Sequence, residues 1–120
     1  MTPHVVAYVT AANEDEAVRM AKSLVGEQLA ACVNIVRSVR SIYRWQGRIE
    51  DEAEVLMIVK TRRELYPRLE QKVKELHSYT VPEVIALPIV EGSADYLAWL
   101  EAQTIPEKIE APREGAGGTP

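Results

Sequence analysis

Short β-branched runs alternate with stretches of helical periodicity through most of this chain. Val5–Thr10 reads as a first strand. Asn13 then caps a helix, with Glu16 three residues on to complete a capping box. Glu14, Asp15 and Glu16 suit the positive end of the helix dipole. Val18, Ala21, Val25 and Leu29 form its apolar stripe, widened by Ala17 and Leu24. Cys32–Val36 begins a second strand that continues to Trp45. Gln46-Gly47 is a turn in which the glycine supplies a positive φ, and Ile49–Thr61 returns as the third strand. Thr61 and Glu64 make a second box-like start, and Leu65, Leu69, Val73 and Leu76 a second stripe. Pro67 conflicts with a helix interior, so the regular helix is expected to begin there after one irregular turn. Val84–Val90 is nearly continuous apolar and reads as a fourth strand buried on both faces. Ser93 caps a third helix, Ala94–Gln103.

The order β-α-β-β-α-β-α predicts an α+β, ferredoxin-like fold. Two βαβ halves joined by a hairpin give an antiparallel sheet with helices on one face, here with an additional C-terminal helix. The expected domain is 1–104. Residues 105–120 hold three prolines and three glycines, and the last eight or so read as a flexible tail. The hairpin is too long for its own domain. A strand from Val33 to Trp45 spans about 43 Å at about 3.3 Å per residue, against a domain diameter of roughly 35 Å. It must bend at a bulge or project, and projecting strands have bare edges that seek partners. Leu97, Ala98, Trp99 and Leu100 leave the last helix apolar nearly all round, which also implies contact on more than one side. A homo-oligomer is expected.

Composition narrows the function classes. Hydrophobic residues make up 47% of the chain, enough for a real core. A net charge of −4 attracts no phosphate backbone, so nucleic acid is a poor partner. A ferredoxin-like RNA binder would need aromatic sheet platforms, and there is no Phe. The single Cys forms no internal disulfide and fits a reducing compartment. The first residues lack the basic start of a signal peptide, and no apolar run is long enough to cross a bilayer. A cytoplasmic protein without membrane partners is expected. Phosphate loops, dinucleotide fingerprints, Zn pairs and nucleophile motifs are missing, so no enzyme is expected and no organic cofactor is implied.

Five polar or aromatic residues form a candidate pocket. Tyr43 and Trp45 share one strand face and serve either as interface anchors or as a stacking wall. Lys60, Tyr79 and Glu83 flank apolar strands. Lys60 and Glu83 either pair structurally or line a cleft for a small polar or anionic ligand. Pro82 forces Val81 extended and delays strand pairing, which holds the Tyr79–Glu83 segment at the sheet end. For metal, His77 with Glu83 suits Zn or Cu(II), although a His at a helix C-terminus also serves the last carbonyls. Cys32 is either a small buried residue or a soft ligand. Glu50, Asp51, Glu52 and Glu54 read as a solvated hairpin stem paired with Arg40 and Arg44.

Several segments in order resemble the CutA divalent-cation-tolerance family over roughly residues 5–104. They are Leu29-Ala-Ala-Cys-Val-Asn34, Ser41-Ile-Tyr-Arg-Trp-Gln-Gly47, Val59-Lys-Thr61, His77-Ser-Tyr-Thr-Val-Pro-Glu83 and Asp95-Tyr-Leu-Ala-Trp99. The resemblance implies a homotrimer of ferredoxin-like subunits, similar to the trimeric PII signalling proteins. It also implies binding of copper or another divalent metal, such as Zn, and a part in the response to metal ions. The small-ligand pocket is then expected between subunits. Some members are credited with a copper site of a first-strand Cys and two adjacent His. Here Val9 and Leu76 stand at two of those positions, and only His77 remains. Ser78 stands where the family often has Pro. Two other readings compete. One is an acylphosphatase-like enzyme of small phosphorylated substrates, which would need a Gly-rich loop and an Arg where Thr10-Ala-Ala-Asn13 stands. The other is a trimeric scaffold for a partner protein.

Overall fold

The computed structural model describes residues 2–105, so the expected tail falls almost wholly outside the described residues. Strand β1 (His4–Ala11) pairs antiparallel with β3 (Arg48–Arg62) on one side and with β4 (Val84–Pro88) on the other. Strand β2 (Cys32–Trp45) pairs antiparallel with β3, giving the order β2-β3-β1-β4 of a ferredoxin-like sheet. Helices α1 (Glu14–Gly26) and α2 (Tyr66–Leu76) join the strands, and α3 (Ala94–Ala102) follows β4.

Period-2 alternation divides the sheet into two faces. Ala7, Val9, Val55, Met57 and Val59 face α1 and α2 and, with Met20, Leu24, Leu65, Leu69 and Val73, form the buried core. The stripe of α1 is Ala17, Met20, Ala21 and Leu24, rotated from the expected one. Val25 is exposed, while Met20 supplies a fully buried side chain at the centre. Asn13 Oδ1 accepts from the Glu16 amide at 2.8 Å as expected of an N-cap.

The hairpin both bends and projects. Its register shifts between Val36 and Val39, where Ser38 adopts φ 64°, a bulge that increases local twist. Beyond Ala11 and Val55, β1 stops and the hairpin continues as a two-stranded ribbon. It turns at Gln46 (φ 53°) and Gly47 (φ 80°), two consecutive left-handed residues matching the twist of the strands. The described residues consequently extend 52 × 31 × 22 Å.

Two local expectations give way. Thr61 is not a helix cap. Its hydroxyl donates to the Leu29 carbonyl at 2.6 Å in the core. A 3-10 turn, Arg63–Leu65, precedes α2 instead, and Pro67 occupies the first turn, where its missing N–H costs nothing. Strand β4 is short and lies at the sheet edge, with Ile85 (50%) and Leu87 (48%) exposed on the face away from α1 and α2. It is therefore not buried on both faces within one chain. The additional helix α3 lies apart from α1 and α2. Glu101 meets His4 Nε2 at 3.1 Å, and the Arg62 guanidinium bonds Thr104 and the Glu101 carbonyl. By register, those strand side chains point to the opposite face of the sheet.

Candidate functional site

The corner where β1 ends and the hairpin continues is closed by the loop that leaves α2. Glu16 and His77 set that loop. The Glu16 carboxylate accepts from the Ala12 amide at 3.1 Å and, through its other oxygen, from the Ser78 amide at 2.7 Å. The expected capping box is thus redirected, and the acid ties α1 to a loop sixty-two residues away. Burial alone would push this carboxyl up. The Ser78 and Ala12 hydrogen bonds outweigh that and hold it below its ordinary value.

The His77 side chain is fully buried. Its Nε2–H donates to the Thr10 carbonyl at 2.7 Å, and its Nδ1 accepts from the Tyr79 amide at 3.0 Å. A carbonyl only accepts and an amide N–H only donates, so these bonds fix the neutral Nε2–H tautomer. The expected metal role of His77 therefore gives way to a structural one: ligation would have to break one of two buried hydrogen bonds. Val9 and Leu76 add no donor beside it. The residues at the family's copper positions do not fit a copper triad. Among the described residues, no three His, Cys, Asp or Glu side chains are gathered to hold a metal ion.

In front of this loop lies a cavity of about 620 Å³. Ser41, Ile42, Tyr43 and Trp45 of β2 and Glu52 and Glu54 of β3 form one wall. Thr10, the segment Ser78–Val81 and Glu83 form the other. The Tyr43 hydroxyl donates to Glu52 at 2.9 Å, and the Tyr79 hydroxyl donates to Glu54 at 2.7 Å. The hydrogen bond to Glu52, then desolvation and nearby carboxylates, push the Tyr43 phenol up to about 12. Burial, then the bond to Glu54, raise the Tyr79 phenol further. Both rings are neutral donors across the physiological range. The ring of Tyr79 also packs on His77, centroids 4.6 Å apart.

Of the five residues expected to line a pocket, Tyr43, Trp45, Tyr79 and Glu83 meet at this one cavity, within a single chain. Lys60 does not. It pairs across β2 with Cys32, its ammonium bonded to Asn34 Oδ1 and 3.8 Å from the Cys32 thiol. The alternation that puts Tyr43 and Trp45 on one strand face is carried, after the bulge, toward Glu52 and Glu54 rather than toward Lys60. The two acids were legible only as a solvated stem. Arg40 does pair with Asp51 across the strands, at 2.8 and 2.7 Å. Cys32 is half-buried and free, with the Tyr96 phenol of α3 beside it.

These features define a ferredoxin-like α+β domain with a projecting hairpin and a cavity at its foot. Residues 5–103 match the family described as CutA1 divalent ion tolerance protein, and the chain belongs to that family. It is 52% identical to the divalent-cation tolerance protein CutA of Thermus thermophilus, over 82% of this chain and 96% of that protein. It is 49% identical to the chloroplastic CutA 1 of Oryza sativa, over 85% of this chain but only 58% of that longer relative. The crystal structure of CutA1 from Oryza sativa superposes with a TM-score of 0.86 at 47% identity, covering 88% of this chain and 97% of that one. The family is named for divalent-ion tolerance rather than for a reaction.

Proposed function

We propose that the chain acts as a homotrimeric divalent-cation-tolerance protein that takes part in the response to copper or another divalent ion and carries a small polar ligand in the cavity at the foot of its hairpin. One observation carries this reading. The sheet face opposite α1 and α2 leaves Val36, Ile85 and Leu87 exposed, next to Tyr96 and Trp99 of α3 and a ribbon with two bare edges. An apolar surface of that kind on a small domain is an interaction surface, and copies of the chain are the occupant that the bare strands suit best. Three copies follow from the family resemblance. In this arrangement the ribbon lies against a neighbour and borders that neighbour's ligand. The membership of the divalent-ion-tolerance family supports the role in metal tolerance.

Cys32 is the soft donor in this reading, because both nitrogens of His77 are engaged. The Lys60 ammonium, 3.8 Å from the thiol, swings aside to admit a metal. A cytoplasmic location fits a free, half-buried thiol. Among the described residues no helix is long and apolar enough to cross a membrane. Calorimetry with Cu(I) and Zn(II) on the wild type, Cys32→Ser and His77→Ala tests the metal part. Copper binding that Cys32→Ser abolishes is the expected result. Copper binding unchanged in Cys32→Ser contradicts it and leaves the thiol a packing residue.

A further inference from the structure

We infer that the cavity at the hairpin foot takes a small organic cation, an aliphatic amine in its ammonium form. This rests on the reading of the cavity as a ligand site and names the chemistry of its occupant. Three carboxylates line the cavity, those of Glu52, Glu54 and Glu83, and no Lys, Arg or His is among its lining residues. Of the cations on the same sheet, Arg40 is held by Asp51 and Lys60 by Asn34, while Arg44 and Arg48 of the ribbon are not among the lining residues. The two phenols cannot serve an anion as free donors, because each already gives its proton to a carboxylate, Tyr43 to Glu52 and Tyr79 to Glu54. An anionic guest would sit among like charges with few donors to receive it. A cationic guest finds carboxylate acceptors and the aromatic side chains of Trp45, Tyr43 and Tyr79 in the lining, whose ring quadrupoles attract cations.

Size and spacing decide between an inorganic ion and an organic one. Glu52 and Glu54 are two residues apart on one strand, so their Cα atoms stand roughly 7 Å apart, and each holds a tyrosine hydroxyl. The acids are dispersed around about 620 Å³ and are not gathered as an ion cage. A volume of that order fits a small organic molecule. Dispersed carboxylates suit a guest whose N–H groups reach more than one acceptor, and the hydroxyls of Ser41 and Thr80 complete a polar rim.

The test uses three probes of equal length and different charge. Putrescine, 1,4-butanediol and succinate are titrated separately into the full chain in low-salt phosphate buffer. Binding is followed by NMR at the Trp45 indole N–H and the backbone amides of Tyr79 and Thr80. Saturable shifts at these positions with putrescine, at least about tenfold tighter than with the diol or succinate, are the expected result. Glu83→Gln, at an exposed position, should weaken putrescine about tenfold with the fold unchanged. Glu52→Gln should do the same while keeping an acceptor for Tyr43. Succinate or butanediol binding in the cavity as tightly as putrescine overturns the inference and leaves the ligand site standing. Putrescine affinity unchanged in both variants overturns it as non-specific attraction. Silence from all three probes overturns the ligand site itself and the inference with it.

Discussion

Glu16 does more than its place in a first helical turn suggests. Both its oxygens accept amide protons, from Ala12 and from Ser78, in a nearly water-free setting. Glu16→Gln would turn an amide NH2 toward one of those N–H groups and leave it unpaired, which costs about 1–3 kcal/mol. The pH dependence follows in sign. The folded pKa is depressed, so the stabilisation is fully present above the ordinary value of 4.5 and is lost as pH falls through the folded pKa. Melting temperature measured from pH 7 down to pH 3 should therefore fall more steeply below about pH 4.5 for wild type than for Glu16→Gln. Parallel curves would show that the carboxylate charge is not what holds the loop. The phenols titrate at the other end. With Tyr43 pushed up to about 12 and Tyr79 raised further, an ultraviolet titration of the folded protein at pH 10.5 should show both still protonated. The stabilisation they give is present below the ordinary value of 10 and is lost as pH rises through their folded values. Tyr43→Phe should remove one late-titrating phenol, and full ionisation near pH 10 in the wild type would contradict the two carboxylate bonds. A sequence reader sees Asn13 and Glu16 as a cap because the spacing is local. The bond to Ser78 joins residues that only the closed chain brings together.

At the scale of elements, the long hairpin was the most legible feature and the one that determines the site. Its alternating residues and Gln46-Gly47 turn fix strand and register, and simple arithmetic on its length demands a bulge or a projection. Both occur, at Val36/Val39 and beyond Ala11. Lys60 lies away from the cavity for a related reason. Sequence proximity to apolar strand residues suggests a common pocket, but the cavity forms six or more residues up β3 from Lys60, where β1 ends. Periodicity places the stripe of α1 one step off because Val18 and Val25 outrank Met20 in hydropathy, while Met20 has the length to reach the centre of the core. The turn carries its own prediction. Gln46 occupies the left-handed region at φ 53°, which costs a residue other than Gly or Asn about 1–2 kcal/mol. Gln46→Asn should therefore raise stability by several tenths to about 1 kcal/mol, read as a higher melting temperature. A lower one would mean that the Gln46 side chain makes contacts that offset the strain.

For the whole molecule, the element order and the resemblance to one family were enough to predict the ferredoxin-like fold. Burial of β4 was the instructive failure. A run as apolar as Val84–Val90 signals two covered faces, yet Ile85 and Leu87 are exposed in the single chain. The proposed oligomer accounts for this, because hydrophobic patterning records all the surfaces a chain buries, its partners' included, and a single chain can display only its own. Tyr96 and Trp99 on α3 and Ile42 and Ile49 on the ribbon are exposed in the same way. Putting a charge into this surface should separate assembly from chemistry. On the proposed trimer, Leu87→Glu is expected to dissociate the oligomer or to prevent folding altogether, since an interface of this apolar content would be inseparable from stability. The most direct measurement is the mass of the wild-type particle by light scattering at micromolar concentration. With 13.4 kDa per chain, the account predicts about 40 kDa, a trimer that persists on dilution. A particle of 13.4 kDa with a cooperative melt would contradict it, because the uncovered sheet face would then be stable in water without a second copy.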